Sequence, residues 1–305
     1  MLKPEIDRYV AIHRRFGLNY KEVSRTLNLF TRYAEGFGDE HLRVSRIRDW
    51  CSRASSPVRA RSAYDAVRRF CVFMNAEDDR HEVPPAGAFG RGKQPRPTPH
   101  IFDPSQIAAI LEAARQLPPT DAIVSQTYVC LFGLLAATGM RVSEALALQL
   151  DDITADGLIV RHGKGRKSRL LPIQPSTRQA LANYIVARQD ALCKTNDLFI
   201  SRRGRAPTKL RAHVVFVEIV RKLGLRPHAV GTTGPRLHDL RHTFAVRSLE
   251  RCPHDRTAVA NHIAALSTYL GHASVAHTYW YLEATPVLLR AISMASETAF
   301  TEAAQ

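Results

Sequence analysis

No stretch of this sequence stays apolar for the roughly 18 residues a membrane-spanning helix needs. The nearest approach, residues 124–137, is interrupted by Ser125, Gln126 and Thr127. The opening MLKPEIDRYV lacks the apolar centre of a secretory signal. Cysteine is scarce: five residues, at 51, 71, 130, 193 and 252, an odd count with no CxxC pair. That excludes a disulfide-stapled scaffold and points to reduced thiols in a soluble, cytoplasmic protein. Cys252, His254 and His262 match no common zinc spacing. There is no GxxxxGK[ST] phosphate loop and no cluster of carboxylates of the kind a two-metal nuclease uses. Internal repeats and low-complexity tracts are absent as well.

Acidic residues are also in deficit, 28 against 43 basic ones, for a net charge of +15 and a pI near 10.1. The excess is shared, +7 in residues 1–100 and +8 in 101–305. Two runs concentrate it. Residues 161–169 (RHGKGRKSR) hold five basic side chains and no acidic one; residues 201–226 hold eight and one. Such a balance suits a polyanionic partner, because Lys and Arg gain affinity by displacing counterions from phosphates. Charge alone does not separate DNA from RNA or acidic lipid. The 45% of apolar residues and the 305-residue length supply enough core for about two domains.

Periodicity and punctuation place those domains. Residues 1–83 read as a compact bundle of about four helices. Asn19 and Glu22 have capping-box spacing and would open a helix through Ala34. A second helix follows Ser45, and a third follows Pro57 with Tyr64, Val67, Phe70, Cys71 and Met74 on one face. Residues 84–100, rich in Pro and Gly with three basic residues, read as an interdomain linker. Residues 101–305 read as a mainly helical domain with a small sheet, α+β in class. Helices are expected at 104–115, 123–138, 143–148, 175–188, 210–223, 237–250, 256–270, 274–282 and 286–299. Two strands are expected at 158–161 and 169–173, joined by a turn at Gly163-Lys164-Gly165.

Four stretches of this domain carry chemistry-bearing residues. TGMRVSE places Arg141 just after an apolar helix, with Glu144 one turn on; an arginine there needs an anion in its fork. Lys164 sits at the hairpin tip. LHDLRH puts His238 and Arg241 three apart, so one face offers a proton-transfer group and a phosphate clamp. LGH contributes His272, and nine residues later comes Tyr281 in the aromatic Tyr279-Trp280-Tyr281. Each stretch alone has a bland reading: a surface ion pair, a solvated lysine, a chance HxxR, core packing.

Taken together, in this order and spacing, TGMRVSEALAL, GKGRKSRLLPI, LHDLRHTFA and LGHASVAHTYWY resemble the tyrosine recombinase (phage integrase) family across essentially the whole second domain. The helical, basic first segment is similar to that family's core-binding domain. The resemblance implies a site-specific recombinase that cleaves and rejoins DNA through a 3′-phosphotyrosyl intermediate and a Holliday junction, without metal or cofactor. It implies Tyr281 as nucleophile, Arg141 and Arg241 on the nonbridging oxygens, Lys164 as acid for the 5′-oxygen, His238 in proton transfer and His272 on the phosphate. Glu144 and Asp239 would support them. Tyr279 stands a half-turn from Tyr281, so only one of the two can face the arginines.

Expected DNA contacts are Arg59, Arg61, Arg68 and Arg69 in the first domain. In the second they are Arg166, Lys167, Arg202, Arg203 and Arg205. The partners implied are double-stranded recombination sites and further recombinase subunits in a homo- or hetero-tetramer, with no membrane, and a nucleoid-associated location. Helix 286–299 would dock on its own domain or on a neighbour. LGHASVAHTYWYLEATP looks more like integrases carried by transposons than like chromosome-dimer resolvases. The departure from the family pattern is Leu282-Glu283 after the tyrosine, where many members have Thr-His. The alternatives are a type IB topoisomerase-like relaxing enzyme and a noncatalytic DNA-binding accessory protein.

Overall fold

The computed structural model describes residues 2–90, 98–118, 122–161, 168–190, 195–228, 234–251, 256–272 and 274–283. The hairpin turn with Lys164, Arg166 and Lys167, the residues Cys193, Cys252 and His254, and the expected helix 286–299 lie outside the described residues. So does the side chain of Tyr279. The chain divides into two compact units, Met1–Arg96 and Pro97–Gln305.

The first unit is built on four helices: α1 (Lys3–Arg15), α2 (Lys21–Glu35), α3 (Val44–Ser52) and α4 (Pro57–Asn75). Each turns one apolar stripe inward. Ile6, Tyr9 and Val10 from α1 meet Leu27 and Phe30 from α2, Ile47 and Cys51 from α3, and the Tyr64, Val67, Phe70, Cys71, Met74 face of α4. Burial pushes the thiols of Cys51 and Cys71 up to about 12, so both act as small apolar groups. α4 starts where Ser56 accepts from the Arg59 amide and Pro57 fills the first turn.

Two details differ from the sequence reading. The Asn19–Glu22 capping box does not form: Tyr20 takes the cap position of α2, stacks on His13, and leaves Asn19 to accept from the Lys21 amide at 3.3 Å. The expected linker also begins too early. Residues 84–89 pack on α4: the Tyr64 hydroxyl donates to the Pro85 carbonyl (2.8 Å), Arg68 Nε to Pro84 (3.0 Å) and Arg61 Nε to Phe89 (3.4 Å). A Pro-rich backbone has few amides to offer but keeps its carbonyls, and the arginines of α4 supply the missing donors.

The second unit opens on α5 (Pro104–Arg115), whose Asp103–Gln106 capping box is complete. Next comes α6 (Ala122–Thr138), apolar on all sides because it packs against α5, α8 and α10. After α7 (Val142–Ala145), shorter than the expected 143–148, a 3-10 turn leads into the sheet. The sheet is antiparallel, β1 (Ile153–Thr154), β2 (Gly157–Val160) and β3 (Arg169–Leu171) in that order, with Leu158 opposite Leu171 and Val160 opposite Arg169. β1 is the strand the sequence reading missed; two residues carry no alternation to read. Then follow α8 (Pro175–Asp190), α9 (Lys209–Lys222), α10 (Asp239–Glu250), α11 (Arg256–Leu270) and α12 (Ala276–Glu283).

Phe102, Phe132 and Phe216 anchor the main core by edge-on ring contacts. A separate cluster joins Ala245, Val246 and Leu249 of α10, Ile263, Leu266 and Leu270 of α11, and Tyr281 of α12. That cluster is what holds the site together. Among the described residues no helix is long and apolar enough to cross a membrane.

Candidate active site

The site forms around the last turn of α11. Gly271 lies in the left-handed region (φ 67°), its amide bonds to Thr268, and the His272 amide reaches back to Ser267. This helix-terminating turn leaves the final carbonyls without helical partners. Three arginines take them in succession. Arg169 Nε donates to the carbonyl of Tyr269 (2.9 Å), Arg241 Nη2 to Leu270 (2.8 Å) and Arg141 Nη2 to Gly271 (3.0 Å). The negative end of the helix dipole favours three cations there.

Each guanidinium is fixed from a second side. Arg241 Nη1 donates to the Gly139 carbonyl at 2.8 Å, where α6 ends and the chain turns at φ 61°. Arg141 Nη1 donates to Glu144 Oε1 (2.7 Å), and its own amide donates to Glu144 Oε2 (3.0 Å). Arg169 spans the same carboxylate, Nη1 to Oε1 at 3.3 Å and Nη2 to Oε2 at 2.8 Å. Burial alone would raise the Glu144 pKa. The hydrogen bonds from Arg169, from the Arg141 amide and from the Arg141 guanidinium overrule it and hold the pKa at about 2. Burial and the nearby Arg141 lower Arg241 to about 10, which still leaves it cationic at neutral pH.

Tyr281 is buried, and its phenol lies near enough to Arg241 to act on the charge of that guanidinium. Its ring lies parallel to that of His272 (6.1 Å between centroids) and tilted against His242 (5.5 Å). His272 Nδ1 is held 2.8 Å from the Thr278 hydroxyl, one turn before Tyr281 on α12. His238 stands at the head of α10 with its ring edge-on to His242 (4.7 Å). Surrounding protein and Arg241 push the His238 pKa down to about 4, although the residue keeps an exposed edge. Asp239 is buried and accepts from the amide and guanidinium of Arg236 at 2.8 Å each. The Asp239 carbonyl accepts from Thr243, whose hydroxyl in turn receives the Phe102 amide.

So Arg141, Glu144, His238, Arg241, His272 and Tyr281 come together from α6–α7, α10 and α11–α12, and Asp239 sits behind them. Arg169, His242, Thr278 and Arg236 were not singled out from sequence. Arg169 lay inside a basic run, and nothing local separates an arginine bound to a carbonyl from one in solvent. Of the expected DNA contacts, Arg59, Arg69, Arg202, Arg203 and Arg205 are exposed, whereas Arg61 and Arg68 turn toward residues 84–89. Among the described residues no three His, Cys, Asp or Glu are grouped to hold a metal.

Known proteins share this arrangement's sequence and fold. Residues 100–286 match the phage integrase family. The chain is 34% identical over 299 residues to y4rB of Sinorhizobium fredii, named as an integrase/recombinase, with 93% of each chain covered. It is 31% identical over 244 residues to the tyrosine recombinase XerD of Mycobacterium tuberculosis, covering 78% of this chain and 74% of that one. Among solved structures, the Tn1549 transposon integrase in complex with transposon right end DNA superposes with a TM-score of 0.62 at 18% identity, over 90% of this chain and 93% of that chain. XerH site-specific recombinase bound to difH substrate gives 0.63 at 19%, over 92% and 81%. At that identity the structures speak for the fold, and the sequence matches for the kinship: this chain belongs to the phage integrase family, the tyrosine recombinases.

Proposed function

We propose that the chain is a site-specific DNA recombinase in which Tyr281 is the nucleophile. The observation that carries this is a buried Tyr281, its ring parallel to His272, set beside Arg241, whose partner, the Leu270 carbonyl, adjoins the carbonyl held by Arg141. A phosphodiester at the tyrosine would meet two fixed cations. The Tyr281 oxygen attacks phosphorus, the bond to the 5′-oxygen breaks, and a 3′-phosphotyrosyl bond replaces it. Arg141 and Arg241 stabilise the charge that grows on the nonbridging oxygens. His238, neutral at pH 7, accepts the tyrosine proton, and Lys164 gives one to the departing 5′-oxygen, which leaves as a hydroxyl. His272 hydrogen-bonds the phosphate. Attack by a 5′-hydroxyl from a second duplex reverses the chemistry and joins the strands.

Two duplexes exchanging strands in this way need several protomers. The assembly is a tetramer on paired sites, formed by this chain alone or with other recombinases. Relatives solved on DNA, such as a lambda integrase dimer bound to a COC′ core site, support a multimer on DNA.

Covalent trapping tests the reading. A nicked suicide duplex from the sequence flanking the gene, run on a denaturing gel, should give a protein–DNA band with wild type and Tyr279→Phe and none with Tyr281→Phe. A band lost only in Tyr279→Phe would move the nucleophile. Tight native-gel binding with no band in any protein would remove the cleavage chemistry.

A further inference from the structure

Arg169 begins β3, five residues after Lys164 in sequence, and has no role in the chemistry above. Its guanidinium is only 14% exposed and makes three bonds to two separate segments: both oxygens of Glu144 and the carbonyl of Tyr269. Those segments are the two that place the reacting groups. Glu144 is the carboxylate that orients Arg141. Tyr269 is the first of three consecutive carbonyls, the other two holding Arg241 and Arg141, and His272 follows at once. Gly271 completes the fit. A Cβ there would stand 2.8 Å from Arg169 Nη1 and 2.9 Å from Cζ, so the guanidinium lies flat against the turn only because residue 271 has no side chain.

We propose that Arg169 is a positioning residue: it ties the Glu144 carboxylate to the end of α11 and so sets where Arg141, Arg241 and His272 stand around the phosphate. A lysine cannot do this. Three bonds at fixed angles to two segments need the planar fork, whereas the three N–H groups of an ammonium diverge from a single nitrogen and cannot span both segments in one plane. The catalytic consequence rests on the recombinase reading; the structural one does not.

The experiment therefore has two arms. In the first, the covalent step is timed in a single turnover on the suicide duplex at saturating protein, and binding is measured separately on native gels. Arg169→Gln and Arg169→Lys should slow the covalent step by about tenfold to a hundredfold, the scale of a misplaced reacting group, while the Kd stays close to wild type. Guanidinium ion at millimolar concentration should restore part of the rate to Arg169→Ala, which no unfolded variant would show. In the second arm, amide hydrogen exchange is followed at Gly271 and His272, the two amides that close the turn. Arg169→Gln should speed both. An unchanged covalent step, or a loss matched by the loss of binding, overturns the positioning role. Unchanged exchange at both amides overturns it independently. If wild type binds the duplex tightly but gives no covalent band, the recombinase reading has failed, and the exchange arm alone decides Arg169.

Discussion

His238 and His242 share a protein environment that keeps both imidazoles neutral at physiological pH, with pKa values lowered to about 4. For His242 burial is the larger cause, followed by His238; Arg236 and Arg241 add to it and Asp239 opposes it. The linkage sign follows. Unfolded, His242 titrates near the ordinary 6.5; folded, it resists protonation until about 4. Between those values the unfolded chain binds the extra proton, so stability falls as pH drops through the window, by up to about 1.4 kcal/mol per pH unit for one such group. Urea unfolding between pH 4.5 and 7 should show His242→Asn with a shallower slope than wild type; equal slopes would assign the acid sensitivity elsewhere. At this scale the sequence was informative where order and spacing carried the signal. Arg141, Glu144, His238, Arg241, His272 and Tyr281 were grouped from separated stretches by their order and spacing, and the fold gathers them. Arg169 and His242 were invisible, because their partners, Glu144 and the Tyr269 carbonyl for the one and the Tyr281 ring for the other, lie far away in sequence.

The helix ends do much of the placing. α6 stops where Gly139 turns left-handed, and the freed carbonyl of Gly139 goes to Arg241. A Cβ at 139 would sit 2.5 Å from the Phe244 ring and force a side chain into a backbone region that costs about 1–2 kcal/mol. Gly139→Ala should lower the unfolding free energy by about 2 kcal/mol and slow Tyr281 trapping more than it weakens DNA binding. Wild-type stability in a chemical melt would mean that neither the Phe244 contact nor the left-handed backbone at 139 carries this cost. Elements with long periodic faces were readable: α4 from Tyr64, Val67, Phe70 and Met74, and α5 from Asp103-Pro104. Elements decided by tertiary partners were not. Tyr20 displaced the expected cap of α2 because its ring had a better use against His13, and β1 exists only as a partner for β2.

Taken as a whole, the molecule carries its +15 on both units, but its arginines are not interchangeable. Arg61 and Arg68 satisfy carbonyls of residues 84–89, while Arg59 and Arg69 face solvent. Arg59→Ala and Arg69→Ala should each weaken DNA binding and reduce its log–log salt slope by about 1. Arg61→Ala and Arg68→Ala should mainly loosen residues 84–89, seen as faster proteolysis there. A slope that changes for neither exposed arginine would remove this face from the DNA.

The three carbonyls at the end of α11 have one more consequence. A carboxylate partner offsets the charge of an arginine, whereas a peptide oxygen is neutral and orients the guanidinium without offsetting it. Arg241 is thus held by the carbonyls of Gly139 and Leu270, dipoles that fix the guanidinium without cancelling its charge. Because peptide oxygens belong to every residue, exchanging the side chain at 269 or 270 leaves all three acceptors in place. What the arrangement cannot tolerate is a change in count. One residue more or fewer between Thr268 and His272 would shift every arginine to the wrong oxygen, so this turn is fixed in length and, at Gly271, in identity.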